Sequence, residues 1–191
     1  MDANEMIEQE NSLIEAETEQ KEQAAYLQSR HHIYHEIAQQ MYPCQKRIEE
    51  ILEQTVPGTD GFRDKIALVS VLNVYIKRKA NMLLLASESS TLSTDELFLA
   101  LGESAGYLRY AGLMTTAVKP ESFEYPAQQI IELYDSFETI SEQMLGKTGS
   151  LMITWRGDGL TLAAAADCSL DLRNIALPVK LRREEGTLYV D

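Results

Sequence analysis

The sequence predicts an α+β protein in which a long helical hairpin precedes a small α/β domain. Residues 4–54 contain no glycine and a single proline, Pro43, which favours one long helix. A second long apolar stretch follows a short turn. After Gly146 the hydrophobic period changes from that of a helix to the two-residue period of strands. Helices therefore come first and most strands last, an order typical of an α+β architecture.

The first helix carries a seven-residue hydrophobic repeat. Its apolar or semi-apolar positions are Met6, Leu13, Gln20, Leu27, Tyr34 and Met41. Charged residues lie between them, so the repeat predicts a helix that pairs with another helix along a narrow seam. Pro43 predicts a bend or a local break, because proline lacks the amide donor that the helix needs.

A turn and a second helix complete the hairpin. Residues 56–61, Val-Pro-Gly-Thr-Asp-Gly, are a turn signal. The next helix is predicted from Phe62 to Ser87 and has apolar residues on more than one face, so we expect it to be packed on several sides. A short turn between two long helices gives an antiparallel hairpin. Two copies joined along the seam predict a homodimer with a four-helix bundle.

The Ser/Thr-rich segment 87–94 is the predicted domain boundary. Ser93 is followed three residues later by Glu96, a capping-box sequence that places a third helix from Thr94 to Tyr110. The predicted domains are residues 1–28, 29–88 and 94–191.

The remaining elements follow from proline, glycine and alternation signals. Pro126 suits the first position of a fourth helix that ends at Leu145, before Gly146. The turn Arg156-Gly157-Asp158-Gly159 contains Asp-Gly, a strong hairpin signal. Strands are predicted over residues 113–118, 150–155, 160–166, 179–183 and 187–190.

The composition excludes several classes of function. A net charge of −13 opposes binding to nucleic acid and to anionic membranes. The two cysteines, Cys44 and Cys168, lie far apart and form no CxxC pair, which favours a reducing, cytoplasmic location. The polar, acidic N-terminus is no secretory signal, and the longest apolar run is too short to span a bilayer. Since the chain starts inside a helical pattern, a membrane sensor region upstream is compatible with it.

The histidines of the first helix are the main candidates for chemistry. His35 lies next to Tyr34 and is turned about 100° from it, which places the imidazole on the exposed flank of the seam. A nucleophilic imidazole needs such access, and a neighbouring carboxylate such as Glu36 can orient the ring. The plainer interpretation is that His31, His32 and His35 are ordinary polar helix residues. His31 and His35 also have the spacing of metal ligands, but no further motif completes a site, so no metal is predicted.

The heptad helix, the His-Glu pair, the hairpin and the small α/β unit together resemble the cytosolic core of two-component sensor histidine kinases. Residues 75–81 (YIKRKAN) and 131–138 (IELYDSFE) look like segments of the second bundle helix and the first ATPase-like helix of that family. The resemblance implies a signalling coiled coil over 1–28, a dimerisation and phosphotransfer hairpin over 29–88, and an ATPase-like sandwich over 94–191. The layout is also similar to that of sporulation phosphorelay phosphotransferases, whose ATPase-like domain does not use ATP.

The chain departs from the kinase pattern in its nucleotide-binding residues. The family places a Mg²⁺-holding Asn on the helix that corresponds to residues 130–145, where this chain has Asp135 or Ser136. The sequence after Asp158-Gly159 is a strand and no glycine-rich lid follows. Without such backbone donors for phosphates we expect no nucleotide cofactor and no ATP-dependent kinase activity.

Two functions and two registers stay open at this point. In one register the resemblance places His35, followed by Glu36, at the phosphoacceptor position, and the protein relays phosphoryl groups to or from the aspartate of a response-regulator receiver domain. In the other register Tyr34 occupies that position, and the protein is a non-catalytic signalling module, a pseudokinase. The basic residues Lys77, Arg78 and Lys79 either dock an acidic partner such as the receiver domain or simply solvate the second helix.

Overall fold

The protein has an α+β fold, as the sequence predicts. A computed structural model describes the backbone of residues 3–157, 159–165, 169–175 and 177–191, and the side chains from Leu13 onward within those ranges. The helices are α1 (Ala3–Glu53), α2 (Phe62–Ala86), α3 (Thr94–Tyr110) and α4 (Ala127–Met144). The strands are β1 (Thr91–Ser93), β2 (Met114–Val118), β3 (Glu124–Pro126), β4 (Ser150–Arg156), β5 (Gly159–Ala164), β6 (Leu181–Glu184) and β7 (Thr187–Val190).

The helix ends follow from the residues that stand there. Gly61 adopts a φ of 78°, a conformation that favours glycine, and α2 begins at the next residue. The Ser93 hydroxyl accepts a hydrogen bond from the amide of Asp95 and so caps α3, which confirms the predicted start of that helix. Pro43 lies inside α1 without ending it. The predicted break at Pro43 is therefore wrong, and the alternative, a bend at that residue, stays a prediction.

Five strands form one mixed sheet with the order β2-β4-β5-β7-β6. Strands β2 and β4 run parallel, with Thr116 opposite Met152, and the other neighbours are antiparallel. The short strands β1 and β3 make a separate antiparallel ribbon, in which Leu92 lies opposite Tyr125. This ribbon was not predicted, because strands of only three residues leave no alternation pattern to detect.

The chain divides into two compact units, residues 1–40 and residues 41–191. In the second unit one hydrophobic core joins α2, α3, α4 and the sheet. Val71 and Met82 of α2 lie in the same buried cluster as Leu101, Tyr134 and Ile153. This division does not fall at the predicted limits of 28 and 88–94, and a separate hairpin domain over 29–88 stays a prediction. Among the described residues no helix has the length and apolarity needed to cross a membrane.

Candidate phosphoacceptor site

His35 lies on the exposed side of α1, as its position beside the seam predicts. Good helix formers surround it, and residues 4–42 contain neither glycine nor proline, so His35 lies well inside α1, which continues to Glu53. The apolar neighbours Ile33 and Ile37 are only half-buried, whereas His31, His32, Tyr34 and His35 are exposed. The imidazole is therefore open to a molecule that approaches from solvent.

One ring nitrogen of His35 has a partner one turn further along the helix. The amide nitrogen of Gln39 lies 2.9 Å from Nε2 of His35. An amide NH₂ group can only donate, so this contact fits the tautomer in which Nε2 carries the lone pair and Nδ1 carries the proton. The contact orients the ring and leaves a nucleophilic nitrogen at the surface.

Glu36 contacts a different histidine from the one expected. Its Oε1 lies 3.2 Å from Nε2 of His32, one turn earlier on the helix. Adjacent residues on a helix diverge by about 100°, whereas residues four apart face each other. The expectation that Glu36 orients His35 is thus corrected, since in the structure Gln39 contacts that ring.

Tyr34 is held by a cation on the same helix. Its hydroxyl accepts a hydrogen bond of 2.6 Å from Nη2 of Arg30, and the guanidinium of Arg30 lies 5.5 Å from the centre of the Tyr34 ring. The same guanidinium lies 5.7 Å from the ring of Tyr26. Tyr34 is 47% exposed. The side chain therefore forms a local aromatic–cation cluster beside His35.

The three candidate docking cations of α2, Lys77, Arg78 and Lys79, are each paired with a carboxylate of the second unit. Lys77 and Arg78 both pair with Glu103 of α3, the former at 2.7 Å. Lys79 pairs with Asp135 of α4 at 2.6 Å. These contacts connect α2 to α3 and to α4. Docking of a partner by the three cations stays a prediction, and it requires a partner that competes with these internal carboxylates.

Asp135 lies where the family resemblance puts a metal-holding asparagine, but its carboxylate contacts α2. It accepts a hydrogen bond of 3.0 Å from the Tyr75 hydroxyl as well as the bond from Lys79. The neighbouring Ser136 hydroxyl donates to the carbonyl of Glu132 in its own helix. Asp158 of the predicted turn lies outside the described residues, and β5 begins directly after it at Gly159.

A buried polar cluster on α4 was not among the predicted site residues. The Ser104 hydroxyl donates to Oε1 of Glu138 at 2.7 Å, and the Tyr134 hydroxyl lies 2.8 Å from the Ser104 oxygen. Burial raises the pKa of Glu138 to about 8, although these hydrogen bonds oppose the rise. The spacing of Tyr134, Glu138 and Glu142 on one side of α4 is the signal that points to it.

The other titratable groups of the described residues include no metal cluster and one half-buried thiol. Within the ranges that the structure describes, no group of three or more His, Cys, Asp or Glu side chains is arranged to hold a metal ion. Cys44 is a free thiol, and burial raises its pKa to about 11. It is therefore protonated at neutral pH and a weak nucleophile. Cys168 lies outside the described residues.

Several solved structures of other proteins are similar to this chain. No protein-family model matches the sequence, and no curated protein matches it significantly. The chain is similar to a bacterial phosphotransferase, with 11% identity over 81% of this chain and 90% of that chain and a TM-score of 0.46. It is also similar to the Acinetobacter baumannii histidine kinase AdeS, with 8% identity over 82% of this chain and 94% of that chain and a TM-score of 0.39.

Proposed function

We propose that the protein is a histidine phosphotransfer protein of two-component signalling, with His35 as the phosphoacceptor. The observation that carries the proposal is the placement of this imidazole. It is exposed on a long helix, and its Nε2 is 2.9 Å from an amide that can only donate to it. An unprotonated ring nitrogen at an accessible surface, held only by one weak neutral hydrogen bond, is what phosphoryl transfer from another protein requires.

Phosphoryl transfer to this chain involves the His35 imidazole and its neighbour Gln39. Nε2 of His35 attacks the phosphorus of a receiver-domain aspartyl phosphate, the P–N bond forms, and the P–O bond to the aspartate breaks. The aspartate leaves as a carboxylate, and the positive charge on the ring is lost when the Nδ1 proton passes to solvent. Gln39 has to release Nε2 before attack, which costs little because one neutral hydrogen bond contributes about 1 kcal/mol. The reverse sequence passes the phosphoryl group to a second receiver.

A second copy of the chain is the proposed partner of α1. Three apolar or aromatic residues of the seam are exposed: Leu13 at 63%, Leu27 at 55% and Tyr34 at 47%. They lie 14 and 7 residues apart, which fits the seven-residue repeat. Exposed apolar residues at this spacing are stabilised when two helices pair. The active unit of the proposal is therefore a homodimer that presents two copies of His35, and a response-regulator receiver domain is the transient partner.

The same exposed seam favours a second candidate function. A dimeric helix can relay a conformational change to a partner with no phosphoryl group involved, and the seam residues serve that role equally well. In that case His35 is dispensable. The two functions thus differ in the effect of one substitution.

Phosphotransfer from receiver domains tests the proposal. The purified chain is incubated with a panel of phosphorylated receiver domains, and protein-bound label that is acid-labile and base-stable is quantified. We expect label on the wild-type protein and none on His35→Ala. The chain contains three histidines, so His31→Ala and His32→Ala are matched controls that should keep the label.

Two results decide against His35. Label that persists in His35→Ala, or that disappears in His32→Ala instead, would move the acceptor to another residue. Absence of label with every receiver, together with an intact dimer, would favour the conformational relay.

A further inference from the structure

A cavity of about 530 Å³ opens between α4 and the sheet. Leu133, Phe137 and Ile140 of α4 form one wall, and Leu160 and Leu162 of β5 form the opposite wall. This volume is typical of pockets that hold small organic molecules, which are mostly lined by apolar side chains. The walls therefore suit a ligand with an apolar body.

The third wall is held in place by the backbone of the last hairpin. Residues 177–180 close this side, and the amide of Lys180 donates to the carbonyl of Asp191 at 2.7 Å. The amide of Asp191 in turn donates to the carbonyl of Lys180 at 2.9 Å. The pair extends the β6–β7 ladder by one step beyond Leu181 and Val190. The cavity is thus a formed site with walls on three sides.

Two cations line the cavity without a partner. Arg156 and Lys180 are exposed, and neither side chain has an ion pair or a hydrogen bond within the described part of the chain. The carboxylate beside them, Asp191, already accepts a bond of 2.7 Å from Thr161 and pairs with Arg182 at 3.6 Å. Among the described residues the rim therefore has two cations, Arg156 and Lys180, that no internal carboxylate pairs with, in a protein whose net charge is −13.

We propose that this cavity binds a small organic acid with an apolar body and a single carboxylate. The guanidinium of Arg156 presents the planar pair of donors that matches a carboxylate, and Lys180 adds a second charge. A polyphosphate fits this site poorly, because it needs converging backbone amides. Asp135, the residue nearest to a metal ligand in the family pattern, contacts α2. Binding here is a function separate from phosphotransfer and does not depend on His35.

Intrinsic fluorescence and calorimetry test this inference on the full chain. Trp155 is the single tryptophan, and its ring centre is 5.3 Å from that of Tyr125, which lines the cavity. The probes are octanoate, decanoate and 3-phenylpropanoate, with decan-1-ol as the uncharged analogue and ATP with Mg²⁺ as the polyphosphate. We expect saturable binding of at least one acid at one site per chain, and binding of the alcohol weaker by about tenfold or more.

Paired double variants separate the site from general charge attraction. Arg156→Gln with Lys180→Gln should weaken binding of the acid by about tenfold or more. The control, Arg109→Gln with Lys147→Gln, changes the net charge by the same amount at exposed positions outside the cavity and should leave the affinity unchanged. His35→Ala should also bind the acid normally. The inference is overturned if none of the acids binds, if both double variants lose affinity equally, or if ATP binds more tightly than every acid.

Discussion

Replacement of Glu138 by glutamine tests the buried acid of α4. Glu138 is buried against Ser104 and Tyr134, with the carboxylates of Glu142 and Asp135 near enough to raise its pKa further. Its pKa rises from an ordinary value of 4.5 to about 8, chiefly because burial disfavours the charged form. The folded protein thus keeps this carboxyl protonated at neutral pH.

The sign and size of the effect follow from this shift. Below pH 4.5 the carboxyl is protonated in both the folded and the unfolded chain. From pH 4.5 to about 8 the unfolded chain ionises while the folded chain does not, so the free energy of unfolding falls as the pH rises. Each pH unit in this window costs about 1.4 kcal/mol. Between pH 5 and pH 8 the expected loss is therefore about 4 kcal/mol.

Urea unfolding followed by circular dichroism measures the effect. The Glu138→Gln variant keeps an oxygen that can accept the bond from Ser104 but has no charge to gain. Its stability relative to the wild type should therefore rise by about 4 kcal/mol from pH 5 to pH 8. Glu132→Gln on the same helix is the matched control, and the comparison uses one protein concentration throughout. Parallel pH profiles for wild type and Glu138→Gln would refute a protonated, buried Glu138.

Three further substitutions test the helix surfaces. Tyr34→Phe removes the hydroxyl but keeps the ring, so label at His35 should persist in the receiver assay, and its loss would assign the acceptor role to Tyr34. Leu27→Glu puts a charge on the proposed seam and should weaken dimerisation by about tenfold or more, as measured by light scattering, whereas an unchanged dimer would exclude the seam. Lys79→Met leaves Asp135 without its cation and should lower the free energy of unfolding by about 2 kcal/mol, a loss that the double variant with Asp135→Asn should partly restore. Wild-type stability of Lys79→Met would contradict a structural role for this pair.

Most elements were predictable because their signals are local. The turn at 56–61, the serine cap of α3, the proline before α4 and the alternation in β4 and β5 each depend on a few neighbouring residues. The ribbon of β1 and β3 was missed, because its pairing joins Leu92 to Tyr125 across more than thirty residues. At Pro43 the helix is not interrupted, because α1 continues for ten residues beyond it despite the missing donor.

The candidate site also has features that local sequence predicts and others that depend on the fold. His35 is exposed, but the seam residues Leu27 and Tyr34 are exposed too, so the angle of His35 relative to the seam stays a prediction from the sequence. The contacts of Glu36 could also have been predicted, because residues four apart face each other on a helix. The pairing of Lys77 and Arg78 with Glu103 could not, because the two helices meet only in the folded chain.

The two sides of α4 have different roles in the second unit. On one side Asp135 and Glu138 face α2 and α3, where the first pairs with Lys79 and the second bonds to Ser104. These polar groups are thus used in holding the second unit together. The other side presents Leu133, Phe137 and Ile140 to the cavity. A cavity with these walls, whose rim cations Arg156 and Lys180 have no ion pair among the described residues, suits a ligand whose charge is confined to one end, which is the chemistry of an apolar carboxylic acid.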